Sequence, residues 1–130
     1  MVIDTSALLA ILFQEGEAER ITRAIVKATP RYLSAANLLE AGIVLQLRYG
    51  DEGSRDLDLL LHKLDITIIS VTPKQANLAR RAYKQFGKGL HPAGLNYGDC
   101  FAYALAKDEG MPLLFKGEDF SKTDVLVAVY

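Results

Sequence analysis

Met1-Val2-Ile3-Asp4-Thr5-Ser6-Ala7-Leu8-Leu9-Ala10-Ile11-Leu12-Phe13 changes its pattern of apolar residues at Asp4. Met1 to Ile3 read as a short buried strand. Leu8, Leu9, Ile11, Leu12 and Phe13 then belong to a helix that Thr5 or Ser6 can cap. A strand that passes directly into a helix is the opening unit of an α/β chain, and here an acid stands at the joint.

The same alternation continues outward from this segment. Gly16 marks the first break, and Ile21, Ile25 and Val26 give helical periodicity from Glu17 to Ala28. Pro30 stops that helix before a brief strand at Tyr32 and Leu33. The turn at Ser34 opens a helix from Ala36 to Tyr49 that is apolar nearly all round, which predicts a central element or a subunit contact. Gly50 ends it. A polar-faced helix follows from Asp51 to about Lys63, and Ile66-Thr67-Ile68-Ile69 reads as the third strand. Pro73 suits the first turn of a helix from Lys74 to Phe86. Gly87 to Leu95, with three glycines and a proline, predicts a mobile loop of the kind that borders sites. A helix from Tyr97 to Lys107, a fourth strand from Leu113 to Phe115 and a fifth from Val125 to Val129 complete the reading. Strands separated by helices predict a central, mostly parallel sheet covered on both faces.

Composition bounds the function. The chain has 130 residues, half of them hydrophobic, which fits a single domain over 1–130 with its own core. Lys and Arg total 15 against 16 Asp and Glu, a net charge of -1, so nucleic acid would have to be met by a local basic patch. Cys100 is the single cysteine, which excludes an internal disulfide. No apolar run is long enough to span a bilayer, and a strand beginning at Met1 leaves no room for a leader, so the expectation is a cytoplasmic protein.

Four acids lie in stretches otherwise suited to burial: Asp4, Glu40, Asp99 and Asp119. None has a Lys or Arg at helical spacing within its own apolar stretch, and an uncompensated buried carboxylate is costly. A divalent cation would supply the missing charge. Ligands of an open parallel sheet gather beyond the carboxyl ends of the strands, where Asp4 and Asp119 fall. Asp99 occupies the first turn of its helix, at the positive end of the dipole, and Glu40 sits about one turn inside its own. Carboxylate oxygens suit Mg²⁺ or Mn²⁺, and the absence of paired His or Cys spacing argues against zinc.

Val2-Ile3-Asp4-Thr5-Ser6-Ala7-Leu8, the helical Glu40, Asn96-Tyr97-Gly98-Asp99-Cys100-Phe101-Ala102-Tyr103-Ala104-Leu105-Ala106 and Leu113-Leu114-Phe115-Lys116-Gly117-Glu118-Asp119-Phe120 follow one another across almost the whole chain. Together they resemble a PIN domain, and more narrowly the VapC-type toxins of bacterial toxin-antitoxin pairs. The resemblance implies a three-layer α/β/α sandwich with four to five strands and a metal-dependent endoribonuclease. Its catalytic and metal-binding positions fall on Asp4, Glu40, Asp99 and Asp119, with Ser6 supporting the first acid. Glu118 and Asp124 stand beside the fourth position. Asn96 would cap its helix or hold a water. Water activated by the metal would displace the 3′ oxygen, leaving 5′-phosphate and 3′-hydroxyl ends on transfer RNA or a ribosomal RNA loop. A VapB-type antitoxin that puts a basic side chain into the acidic pocket, a homodimer and higher toxin-antitoxin assemblies are also implied. The apolar helices Ala7 to Phe13 and Ala36 to Leu47 suit a groove for that antitoxin.

Other readings compete residue by residue. Asp4 alone reads as a helix cap, and Glu40 alone as a salt bridge to Arg48 or Arg20. Arg80, Arg81, Lys84, Lys88 and His91, then Lys116, are the candidates for holding an RNA strand, although such a helix face is commonly just solvated. Cys100 reads as a core thiol, His62 and His91 as surface or loop residues, and Tyr97, Phe101 and Tyr103 as packing. A non-catalytic module binding RNA or antitoxin is the alternative function. An aspartyl-phosphate enzyme fits poorly, because the position two residues after Asp4 is Ser6.

Overall fold

The computed structural model describes residues 1–130. Four strands, β1 (Val2–Ile3), β2 (Tyr32–Ser34), β3 (Thr67–Ile69) and β4 (Leu113–Leu114), form one sheet in the order β3-β2-β1-β4. Every pairing is parallel, with Val2 opposite both Tyr32 and Leu113, and Leu33 opposite Ile68. Parallel neighbours need crossovers, which α1 (Thr5–Leu12), α2 (Ala18–Lys27), α3 (Ala35–Tyr49), α4 (Asp51–Lys63), α5 (Pro73–Phe86) and α6 (Tyr97–Glu109) supply.

Side chains alternate across a strand, so the sheet divides the core. Val2 and Leu113 join α5 and α6 residues such as Ala82, Phe86, Tyr103 and Leu105 on one face. Ile3, Leu33 and Leu114 join Leu8, Ile21, Ile25 and Leu64 on the other. Both faces are dry, which is the three-layer α/β/α arrangement expected.

Several local expectations change. The first helix is capped by Asp4, not by Thr5 or Ser6. That helix is ended by Gln14 in a left-handed turn at φ 53°, two residues before Gly16. The fifth strand reduces to a single parallel bridge between Leu113 and Val127. The Leu113 N–H donates to Leu126 O at 2.8 Å and the Ala128 N–H to Leu113 O at 2.9 Å. The segment from Gly87 to Leu95 is closed at its base, where the Lys88 N–H donates to Leu95 O and the Leu95 N–H to Phe86 O. His91 adds an edge contact to Phe86, and Ala93 and Leu95 are fully buried, so this loop is anchored in the core. α3 is not central: Asn37, Ala41 and Leu45 are buried, but Leu39, Ile43 and Leu47 form an exposed apolar stripe.

Candidate active site

Asp4 sits where β1 leaves the sheet, its N–H donating to Leu114 O at 2.9 Å. As N-cap of α1 its Oδ2 accepts the Ser6 N–H at 2.9 Å and the Ser6 hydroxyl at 2.6 Å. Ser6 Oγ also accepts the Lys116 N–H at 3.0 Å, which ties the cap to the chain leaving β4. Asp99 is built alike. A capping box joins it to Asn96: Asn96 Oδ1 accepts the Asp99 N–H and Asp99 Oδ2 accepts the Asn96 N–H, both at 2.9 Å. Each acid thus commits one oxygen to starting a helix and leaves the other uncommitted. Asn96 is a cap, the first of its two expected roles.

Glu40 reaches this place from α3. Asn37, one turn earlier and wholly buried, donates from Nδ2 to Glu40 Oε1 at 3.3 Å and to Gly98 O at 3.0 Å. The Thr5 hydroxyl donates to Asn37 O at 3.3 Å. Gly98 matters because a Cβ there would overlap the Glu40 carboxylate. Sequence reasoning missed Asn37, Thr5 and Gly98. Asn37 had a signal, as an amide one helical turn from an acid in an apolar helix. Asp119 stands exposed at the start of a 3-10 turn, Phe120–Lys122, that Phe120 anchors against Phe115 with ring centroids 5.0 Å apart.

The charges act on one another. Burial pushes the Asp4 carboxyl up to about 7; the two bonds from Ser6 oppose this, and the Asp99 and Glu40 charges add to it. Burial likewise pushes Asp99 up to about 6, against the Asn96 bond and with Glu40 and Asp119 adding to the rise. The structure therefore brings Asp4, Glu40 and Asp99 near one another and leaves Asp119 exposed, where its charge adds to the rise at Asp99. No basic side chain acts on Asp4 or Asp99. Glu40 makes no ion pair: Arg48 lies 4.0 Å from the Phe13 ring centroid and Arg20 5.6 Å from that of Tyr130.

The donor set suits a hard divalent cation. Asp4 Oδ1 is a buried carboxylate oxygen with no hydrogen-bond partner. The side chains do not draw three Asp, Glu, His or Cys groups into a ready cage. Mg²⁺ keeps several waters and takes one or two carboxylates, so an open, partly hydrated site is the form that fits.

The remaining candidates lie apart from the acids. Asp124 accepts from the Tyr103 hydroxyl at 2.6 Å and from Lys107 at 3.1 Å, and Glu118 accepts from Ser121 at 3.4 Å. The Lys116 ammonium is engaged by Glu15 and Glu17. Arg80, Arg81 and Lys84 share a polar hollow on α5, and Lys88 follows that helix. Cys100 is buried, and burial beside Asp99 pushes its thiol up to about 11, which keeps it protonated. Tyr103 packs in the core as expected, but Tyr97 does not: it is 80% exposed.

Residues 1–126 match the PIN domain family. The chain is 54% identical over 125 residues to a ribonuclease VapC of Mycolicibacterium smegmatis, covering 96% of this chain and 97% of that protein. It is 53% identical over 125 residues to ribonuclease VapC30 of Mycobacterium tuberculosis, covering 96% and 95%. Among solved structures, VapC20 of Mycobacterium tuberculosis, described as a sarcin-ricin loop cleaving toxin, aligns with a TM-score of 0.76 at 17% identity over 96% of this chain and 95% of that one. VapBC2 of Rickettsia felis, bound to a DNA fragment from its promoter, aligns at 0.73 with 18% identity over 97% and 94%. These two likenesses speak for the fold alone. No helix is long and apolar enough to cross a membrane.

Proposed function

The chain belongs to the PIN domain family, in its VapC ribonuclease branch, and from that premise we propose that it is the toxin of a toxin-antitoxin pair, an endoribonuclease that uses Mg²⁺ or Mn²⁺ at Asp4, Glu40, Asp99 and Asp119. The observation that carries the site is Asp4 Oδ1, a buried acceptor without a donor, in a group of acids on which no basic side chain acts. A buried charge left in that state is expensive unless a cation completes it. A bound divalent ion supplies Lewis-acid activation of water and neutralises charge on the scissile phosphate. The protein's part is orientation. Ser6 and Asn96 lock one oxygen of Asp4 and of Asp99, so the free oxygens keep a fixed direction. Asn37 holds Glu40 against the first turn of α6. The reaction is hydrolysis: water oxygen bonds to phosphorus, the bond to the 3′ oxygen breaks, and that oxygen takes up a proton, giving 5′-phosphate and 3′-hydroxyl ends.

Transfer RNA or a ribosomal RNA loop is the substrate we propose, in the cytoplasm, for a homodimer held inactive by a VapB-type antitoxin. The exposed stripe of Leu39, Ile43 and Leu47 on α3, a helix whose buried Ala41 and Leu45 pack against the half-buried Leu9, Leu12 and Phe13 of the first helical segment, is apolar surface of the kind an antitoxin arm covers. The test is cleavage of total bacterial RNA by the purified, antitoxin-free chain with Mg²⁺ or Mn²⁺ and with EDTA, beside Asp99→Asn. Discrete fragments that need metal and vanish in the variant are expected. RNA bound equally by both proteins without cleavage would favour a non-catalytic binding module.

A further inference from the structure

The first turn of α6 borders two places. Asn96 shares the capping box with Asp99, and it also lines a surface groove of about 800 Å³ between α5 and α6. That volume lies in the range of about 300–1,000 Å³ that holds small ligands. Buried Ala79 and Cys100 form the base of the groove, Tyr83, Tyr97 and Phe101 supply its rings, and Arg80 and Lys88 its charges. Tyr97, the most exposed of the rings, is braced edge-on by Phe101 with centroids 4.9 Å apart. The Tyr83 hydroxyl donates to Lys88 O at 3.1 Å and so holds the backbone beneath the Lys88 ammonium.

Charge decides what this groove receives. Lys88, Arg81 and Lys84 make no ion pair, and Arg80 bonds only to the neutral Asn77, at 3.2 Å. A wholly apolar partner would bury the heads of Arg80 and Lys88 without a counter-charge. A nucleic-acid strand brings a phosphate for each base, and an exposed ring flanked by cations is how single strands are held without regard to sequence. We propose that this groove binds an unpaired nucleotide of the RNA substrate next to the scissile phosphate, its base stacked on Tyr97 and its phosphates held by Arg80 and Lys88. This rests on the ribonuclease reading above and adds the path of the strand: from the acids, over the first turn of α6, into the groove.

Fluorescence anisotropy of a short labelled single-stranded RNA, with Mg²⁺ and in an Asp99→Asn background that does not cut it, measures the groove directly. Tyr97→Ala is expected to weaken binding roughly five- to a hundredfold, the loss of one stacked base, while Tyr97→Phe stays within about twofold. Arg80→Ala with Lys88→Ala is expected to lower the slope of log affinity against log salt by about one for each phosphate that is no longer neutralised. In the native background Tyr97→Ala is expected to raise KM for RNA cleavage and to leave kcat in place. An unchanged affinity and KM in Tyr97→Ala would overturn the groove. So would a variant that keeps its RNA affinity but loses self-association in sedimentation, or loses only antitoxin capture, since the groove would then be a protein contact. If native cleavage persists in these cases, the ribonuclease reading stands while the groove falls. Absence of metal-dependent cleavage by the native chain would overturn the reading beneath both.

Discussion

Asp4 is only 3% exposed and serves two purposes at once, which is why its capping role and its role in an acid cluster were never true alternatives. A cap needs one carboxylate oxygen, and the second is free to face a ligand. Because burial pushes this acid up to about 7, against 3.8 ordinarily, the folded chain holds a proton that the unfolded chain releases between those values. The sign follows from linkage. The contribution of Asp4 to metal-free stability is greatest below pH 4, falls as pH rises toward 7 and levels off above it, a change on the order of 4 kcal/mol. Thermal melts in EDTA at acid and mildly alkaline pH should therefore show native protein losing more stability than Asp4→Asn, whose amide still caps α1. Parallel pH profiles for the two would refute this. Asp4, Glu40 and Asp99, which the fold brings near one another, stood out in the sequence because carboxylates in apolar stretches violate local expectation, whereas Asp119, singled out on the same ground, stands exposed. Gly98 did not stand out, and Asn37 showed only its spacing from Glu40, since the contact between Asn37 and Gly98 joins positions 61 residues apart and nothing local to either announces the other.

At the scale of elements, the site is a meeting of helix starts. α1 begins on Asp4 as its N-cap, α6 carries Asp99 in its first turn behind the Asn96 cap, and α3 delivers Glu40 one turn further in, where the lack of a side chain at Gly98 leaves room for its carboxylate. Gly98→Ala replaces that space with a methyl group. The atoms displaced are the far end of the flexible Glu40 side chain, and Ala suits a helix better than Gly, so stability should stay within about 1 kcal/mol of native. RNA cleavage should nevertheless fall at least about tenfold, a loss of roughly 1.4 kcal/mol of positioning. A variant as active as the native chain would show that Glu40 needs no fixed place. The alternation of strands and helices was readable from periodicity and from Gly50, Pro30 and Pro73. Two features were not. The segment after Val125 carries strand-like residues, yet only Val127 meets β4 in register, and pairing is a property of the partner as much as of the segment. Helical spacing also groups Tyr97 with Phe101, but spacing does not say which face another element covers, and the Tyr97 ring is left in solvent.

Across the whole molecule, the net charge of -1 conceals a division. Asp4, Glu40 and Asp99 crowd at the sheet's carboxyl end without basic neighbours, while Arg80, Arg81, Lys84 and Lys88 are unpaired on and after α5. Lys116 is the cation nearest the acids by hydrogen bonding, through its backbone to Ser6, yet its ammonium is held by Glu15 and Glu17. The fold thus keeps its own basic groups away from the acids, and the repulsion among the carboxylates remains until a cation arrives from outside. A divalent ion that binds the folded chain and not the unfolded one must raise stability, by about 1.4 kcal/mol when free metal is ten times Kd. At mildly alkaline pH, where Asp4 and Asp99 are ionised, Mg²⁺ or Mn²⁺ should raise the melting temperature of native protein. Asp4→Asn and Asp99→Asn should respond much less. Na⁺ at matched ionic strength separates screening from binding, because screening would act on all three proteins while a site acts on one. Equal shifts with Na⁺ and Mg²⁺ would mean that the acids meet no ion, and the unpartnered oxygen of Asp4 would then need another explanation.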